Sequence, residues 1–268
     1  MCKKLQTKLI DLIILGGIFM VHIVGAGAGD VDLITLKGKR LLEEADVVIY
    51  AGSLVNPELL NFCKIDVKKY NSAHMTLSEV IKVIENAESE GLTTVRLHTG
   101  DPSIYGAIQE QMDELKKLNI DFDITPGVSS FLAAAAALKQ EYTLPGITQT
   151  VIITRHGGRT PVPEHESLKS LAQHQTTICI FLSIKMLAEV VDELIAGGFK
   201  STTPIAVIER VSWADEKIIR GTLETIVEQV ESEKIERTAM IVVGYCLNAE
   251  QYQQSQLYSP NFSHMFRH

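Results

Sequence analysis

The sequence predicts an α/β protein built as two α/β domains of similar size. Three observations point there. Short apolar runs alternate with segments of helical period from Val21 onward. The alternation stops at "KQEYTLPGITQ", where Pro145 and Gly146 mark a connection, and then resumes. The 268 residues exceed what one small core needs, and the hydrophobic share of 46% is ordinary for a globular chain.

The elements follow in order. Strand-like runs fall at "VHIV", "DVVIY", "TTVRLH" and "DFDIT". Between and after them the period near 3.6 predicts helices over Leu33 to Glu44, Leu77 to Glu88 and Ile104 to Leu118. The last repeats Ile104, Ile108, Met112 and Leu115 on one face. Strand–helix–strand alternation predicts a mostly parallel sheet covered by helices. After the connection near Tyr142 to Thr148, strands are predicted at "TVIIT", "TICIFL", "TPIAVIE" and "AMIVVGY", with helices over Met186 to Ala196 and Thr222 to Glu233. "EKIIRGTL" is short and lies near a turn, which suits an antiparallel pair. The domain boundaries expected are an extension over 1–19, domains over 20–143 and 144–247, and a loose polar tail over 248–268.

Charge and cysteine content narrow the function. Acidic residues outnumber basic ones 33 to 25, so nucleic acid, which needs clustered Lys and Arg, is not the expected partner. A local basic pocket for a small anion remains compatible with that balance. The four cysteines lie far apart with no Cys-x-x-Cys pair, which argues for a reducing cytoplasm and against a zinc ribbon. Cys179 and Cys246 read as buried. The opening "MCKKLQTKLIDLIILGGIFM" loosely imitates an export signal, but Asp11 interrupts it and Leu12 to Val21 is too short to span a bilayer. An extension ahead of Met20 is the expectation, with no membrane partner.

Four stretches could carry chemistry. "VGAGAGD", Val24 to Asp30, resembles a dinucleotide loop, yet its last glycine arrives one residue early and no acid ends the second strand. The other use of this pattern is a tight turn of small residues with Asp30 as a helix N-cap. In "LHTGDPSIYGAI", Gly100 permits close backbone approach, and Asp101 can either cap the following turn or accept bonds from a ligand. "TPGVSSFLAAAAAL" opens a helix of small residues with two serines. "VIERVSWADEKIIRGTL" holds the one tryptophan, Trp213, which reads as a loop anchor, with Arg210 solvated. No Gly-x-Ser-x-Gly elbow or phosphate-binding Gly-x-x-x-x-Gly-Lys loop is present. His156, His165 and His174 are spaced by nine residues without i, i+4 pairing, which makes no metal site.

Taken in order, "GAGAGD", "GDPSIYGA", "TPGVSSF" and "ERVSWADEKIIRGTL" resemble the tetrapyrrole methylase family over nearly everything from Val21 to Leu247. "YAGSLVNPELL", "YTLPGITQTVIITRHGGRTPVPE" and "FLSIKM" are similar to its corrin-biosynthesis branch. The resemblance implies a class III, non-Rossmann methyltransferase that holds S-adenosylmethionine in the interdomain cleft and works as a homodimer. It places the cofactor at Gly100, Asp101, Ile104, Ser129, Ser130, Leu182, Val211, Thr238 and Ala239. It places the "GAGAGD" loop, with Asp30, beside a trough for the tetrapyrrole. Two departures stand out. Ala28 and Val31 occupy positions where the family has proline, and Ala51 follows the second-strand tyrosine where relatives acting on uroporphyrinogen carry an acid. An activated sulfonium methyl calls for no nucleophilic side chain and no metal, so no catalytic side chain is assigned. Arg155, His156 and Arg159 in "TRHGGR" form the densest basic cluster near a strand end and are expected to receive substrate carboxylates, with Lys185 and Arg210 as weaker candidates.

Overall fold

The structure is a computed structural model that describes residues 20–255 together with Phe262, Ser263 and Met265. The extension over 1–19, Cys2 and most of the tail lie outside the described residues. The described residues form two compact units, divided between Ser129 and Ser130.

In the first unit, β1 (Val21–Gly25), β2 (Val47–Tyr50), β3 (Lys68–Asn71), β4 (Thr94–His98) and β5 (Phe122–Thr125) make a sheet of order β3-β2-β4-β1-β5. All its pairings are parallel. A parallel sheet needs cover on both faces. α1 (Leu36–Glu44) supplies one side, where Leu41 and Leu42 pack with Val24, Val48, Val95 and Leu97. α2 (Leu77–Ser89) and α3 (Ile108–Lys117) supply the other, where Val80, Ile84 and Leu115 pack with Val21, Val47 and Ile49.

Two helices of this unit begin later than their periodicity predicts. Thr35 is extended and accepts the Gly38 N–H at 3.0 Å, so a 3-10 turn over Val31–Leu33 is separated from α1. Ile104 lies outside α3. Tyr105 and Ala107 are left-handed, and a Cβ on Gly106 would stand 2.1 Å from the Pro102 carbonyl oxygen, so Ser103 to Ala107 turn instead of coiling. β3 escaped the sequence reading because an edge strand tolerates the exposed Lys68 and Lys69.

In the second unit, β6 (Val151–Arg155), β7 (Thr177–Phe181), β8 (Pro204–Glu209), β9 (Lys217–Thr222) and β10 (Ala239–Val243) form a sheet of order β6-β7-β10-β8-β9. This sheet is mixed. Only β6 and β7 run parallel, while β10 is antiparallel to β7 and β8, and β9 is antiparallel to β8. The hairpin from β8 to β9 is the pair expected of "EKIIRGTL". It extends to Thr222, so the helix predicted from there begins at Ile226 instead, as α7 (Ile226–Ser232). α5 (Leu168–Ala172), α6 (Leu187–Ala196) and α7 bury Leu168, Leu187, Val190, Leu194 and Ile226 against Ile178, Ile180, Val207 and Ile241.

The unit division falls ahead of the break at Pro145-Gly146 because α4 (Ser130–Leu138) is bound to the second sheet. Arg220 of β9 donates from Nη2 to the Leu138 carbonyl at 2.7 Å, a cation on a helix C-terminus. Tyr142 donates to the Phe131 carbonyl at 2.8 Å and accepts at its own carbonyl from Thr177 Oγ1 of β7 at 2.9 Å. Cys179 and Cys246 are fully buried, as expected. The tail is held at its start, where the Gln253 N–H donates to the Pro145 carbonyl at 3.0 Å.

Candidate functional site

The C-terminal ends of β1, β4 and β5 lie side by side in the first sheet, and each runs into a glycine: Gly25, Gly100 and Gly127. A Cβ on Gly25 would stand 2.6 Å from both the Gly100 oxygen and the Gly127 nitrogen. One on Gly127 would stand 2.2 Å from the Gly100 oxygen. Backbone therefore packs on backbone at all three ends. Gly27 and Gly100 bridge one another through N–H to carbonyl bonds of 3.3 and 2.9 Å, and the Ala26 N–H donates to the His98 carbonyl at 2.7 Å. The Ala26 and Gly27 amides thus already serve neighbouring carbonyls, which counts against the dinucleotide reading of "GAGAGD".

Asp101 joins this knot. Its Oδ1 accepts the Ser103 N–H at 2.9 Å and the Ser103 hydroxyl, and its Oδ2 accepts the Gly127 N–H at 3.0 Å. It thus caps its own turn and braces the end of β4 to the end of β5. Burial pushes its pKa up, but the bonds from Ser103 and Gly127 outweigh that and hold the carboxyl below its ordinary value. Asp30 is exposed at the same end. It accepts the Asp32 N–H at 2.9 Å and so caps a turn, while Asn56 Nδ2 ties the preceding Gly29 carbonyl at 2.8 Å. Ile104 is half-buried and Ser129 buried. Beneath them His98 is held neutral, its pKa pushed down to about 3 by burial and by the nearby Arg96 guanidinium. Among the described residues, His98 Nε2, Thr99 Oγ1 and Thr125 Oγ1 are buried without a hydrogen-bond partner. Unsatisfied polar atoms are rare in native interiors. Three of the five found among the described residues lie at this end of the first sheet, the other two being His156 Nδ1 and Thr176 Oγ1 of the second unit.

The second unit collects the remaining candidates at one edge of its own sheet. The register sets Met240 beside Ile208 and Ile241 beside Ile180, so the start of β10 adjoins the ends of β7 and β8. Thr238 and Ala239, Val211 and Leu182 are consequently neighbours of those strand ends. Arg155 pairs with Phe181 at the same edge. Four non-glycine residues there are left-handed: Leu182 (φ 55°), Arg210 (φ 48°), Ser212 (φ 64°) and Thr238 (φ 53°). Backbone strain of that kind, about 1–3 kcal/mol per residue, persists where surroundings over-determine it and clusters at functional sites. Leu182 is 63% exposed, and its turn is pinned by Ser183 Oγ, which donates to the Phe181 carbonyl at 2.6 Å and accepts the His156 N–H at 2.8 Å. Ser130 opens α4 and is covalently next to Ser129, so the chain passes between its units through two of the predicted residues.

The basic cluster divides. Arg155 donates from Nη1 to the Thr160 carbonyl at 2.8 Å and from Nη2 to the Pro161 carbonyl at 3.1 Å, which shapes the loop that follows β6. His156 Nε2 faces Glu193 Oε1 of α6 at 3.2 Å, and its ring is largely buried. Arg159 is exposed on the loop that Arg155 holds. Lys185 lines a separate cavity of about 450 Å³ with Ile184, Leu187 and Glu236. Arg210 stacks on Trp213 and pairs with Asp215. Sequence reading missed the Gly127 role, although strands ending in glycine at three places were its visible trace. It also missed Ser183 and Asp215, whose roles depend on hydrogen bonds that no spacing reveals.

Comparison with known proteins adds the family. Residues 20–227 match the model of Tetrapyrrole (Corrin/Porphyrin) Methylases. A cobalt-precorrin-4 C(11)-methyltransferase of Methanocaldococcus jannaschii is 58% identical over 92% of this chain and 95% of its own. A precorrin-4 C(11)-methyltransferase of Pseudomonas aeruginosa is 43% identical over 92% and 98%. Among solved structures, a cobalt precorrin-4 methyltransferase of cobalamin biosynthesis superposes with a TM-score of 0.85 at 45% identity, covering 87% of this chain and 98% of that one. A uroporphyrin-III C-methyl transferase from Thermus thermophilus, complexed with S-adenyl homocysteine, gives a TM-score of 0.71 at 26% identity over 85% and 93%. No helix among the described residues is long and apolar enough to cross a membrane. The match spans both units and all four sequence motifs, and the chain belongs to the tetrapyrrole (corrin/porphyrin) methylase family.

Proposed function

We propose that this chain is an S-adenosylmethionine-dependent C-methyltransferase of cobalamin biosynthesis that methylates carbon 11 of precorrin-4 or cobalt-precorrin-4. The observation that carries this is the 58% identity to a cobalt-precorrin-4 C(11)-methyltransferase along almost the whole of both chains. Bound S-adenosylmethionine would supply a methyl group already activated on a sulfonium. The residues present fit such a group: an exposed leucine on a pinned turn at Leu182, strained backbone around Val211 and Thr238, and the braced Gly100–Asp101 corner.

In this reading Gly100, Asp101, Ile104 and Ser129 of the first unit, and Ser130, Leu182, Val211, Thr238 and Ala239 of the second, hold the cofactor. What the chain contributes is orientation and exclusion of water. Aligning a ring carbon with the sulfur–methyl bond can be worth on the order of 7–11 kcal/mol. A dry site favours loss of the positive charge, since the cation surrenders less hydration there. Asp30 orders the turn beside the macrocycle. Arg159 receives a substrate carboxylate, Arg155 shapes the loop that presents it, and His156 anchors the loop's start. A cytoplasmic homodimer completes the reading, supported by the cysteine usage and the family resemblance.

The test is to supply methyl-labelled S-adenosylmethionine with precorrin-4 and, separately, cobalt-precorrin-4, and to locate the label by NMR. Label at carbon 11 is expected; label at another ring carbon, or none, overturns the assignment. A second measurement probes the loop. Arg159→Ala is expected to raise the KM for the tetrapyrrole about three- to tenfold, the worth of one exposed charge-assisted contact, with the KM for S-adenosylmethionine unchanged. An unchanged tetrapyrrole KM removes Arg159 from the substrate site.

A further inference from the structure

Val211 is flanked on both sides by left-handed residues, Arg210 and Ser212, and each of these is held from outside the strand. The Arg210 N–H donates to the Thr238 carbonyl at 2.8 Å, which joins the residue just after β8 to the residue just ahead of β10. The Arg210 guanidinium lies 4.1 Å from the centroid of the Trp213 ring, and its Nε donates to Asp215 Oδ1 at 2.7 Å. Trp213 returns its own N–H to the Arg210 carbonyl at 2.9 Å. The Ser212 N–H donates to Glu216 Oε2 at 2.7 Å, and the Glu216 N–H donates to the Trp213 carbonyl at 3.1 Å. The loop from Arg210 to Glu216 is therefore closed on itself around Val211.

Such a device contributes little to folding. Arg210 is half-buried and Asp215 exposed, and ion pairs open to solvent in this way add roughly 0–1 kcal/mol. A loop with no task could shed the strain by placing glycine at positions 210 and 212. This chain instead keeps arginine and serine there and adds an aromatic plane and two carboxylates to fix them. The outcome of that arrangement is local: it sets the position of Val211 and of the Thr238 carbonyl relative to each other.

We infer that Arg210, Trp213 and Asp215 form a positioning clamp that holds Val211 and Thr238 in the conformation the cofactor requires. This rests on the proposed function, in which Val211 and Thr238 touch S-adenosylmethionine. The clamp acts through those two residues and touches neither the methyl group nor the macrocycle.

The test compares wild type with Trp213→Ala, Trp213→Phe and Asp215→Asn. Calorimetry with S-adenosylhomocysteine, the KM for each substrate, kcat and Tm are read for each protein. In Trp213→Ala, the Kd for S-adenosylhomocysteine and the KM for S-adenosylmethionine are expected to rise about tenfold, in line with the loss of a cation–π platform. The tetrapyrrole KM stays at its wild-type value, and kcat stays within about twofold because the reacting groups are untouched. Trp213→Phe recovers most of the affinity, since a flat ring remains under the guanidinium. Should Trp213→Ala fail to fold, Asp215→Asn decides by the same readouts, with a smaller expected rise of about threefold. An unchanged Kd in a folded variant overturns the clamp, as does a rise in the tetrapyrrole KM equal to that for the cofactor. Wild type that binds S-adenosylhomocysteine alongside a variant that binds it equally defeats the clamp alone; wild type that does not bind it defeats the functional reading as well.

Discussion

Gly127→Ala is expected to destabilise the protein by about 3 kcal/mol or more and to lower methyl transfer at least about 100-fold. The backbone at Gly127 is not left-handed, so alanine meets no conformational objection there. The objection is steric. Its Cβ would stand 2.2 Å from the Gly100 oxygen and 2.9 Å from Gly25 Cα, and both are main-chain atoms that no rotamer change can move. Relief requires the ends of β1, β4 and β5 to separate. That separation would break the Gly27–Gly100 bridge and the bond from the Gly127 N–H to Asp101. Gly25→Ala should behave alike, with contacts at 2.6 Å. Gly158→Ala is the control for stability. Its Cβ would meet Met186 Cε at 3.5 Å, an ordinary contact, so thermal and denaturant midpoints should stay within about 0.5 kcal/mol of wild type. Equal midpoints for Gly127→Ala and wild type would contradict the packing described.

The glycine knot shows where sequence reading succeeds and where it stops. That "GAGAGD", "TGDP" and "TPGV" each follow an apolar run was legible, because strand and turn chemistry are local. That the three glycines meet was not, because it depends on the order β3-β2-β4-β1-β5, and a strand's partners are set by tertiary packing. The same limit explains the second sheet. Its five strands were legible as apolar runs, yet their directions follow from connection geometry and not from composition. At the basic cluster, three basic residues close in sequence, Arg155, His156 and Arg159, invited one shared role. The structure gives Arg155 to two loop carbonyls and His156 to Glu193, partners distant in sequence or hidden in the backbone. Cys179 and Cys246 were read correctly for the opposite reason: burial follows from the apolar strand itself. Family resemblance reached further than spacing because it carries tertiary information within its motifs.

Asp101→Asn separates the two tasks of that carboxylate. The asparagine oxygen can still accept from the Ser103 N–H and hydroxyl, so the turn after β4 keeps its cap. The amide nitrogen, however, would face the Gly127 N–H, donor against donor, and the brace between β4 and β5 would be lost. Leaving that partly buried N–H unpaired costs about 1–3 kcal/mol. The expected result is a folded protein whose methyl transfer falls about 100-fold, with weaker binding of S-adenosylhomocysteine. Asp101→Ala should lose the same activity and more stability, because Ser103 is released too. Activity near wild type in the asparagine variant would mean that the brace does not position the corner. The acid limb of stability gives an independent check. The carboxyl's pKa is lower folded than unfolded, so its contribution is complete above the unfolded value, near 4 on the ordinary scale. That contribution disappears as pH falls through the folded value, where protonation removes the acceptor that Gly127 needs. Wild type should therefore lose stability relative to Asp101→Asn as pH drops below about 4, and the two curves should run parallel above about 5, where the carboxyl is ionised in both states. A difference between them that stays constant across the whole acid range would show that the charge of Asp101 has no part in holding the two strand ends together.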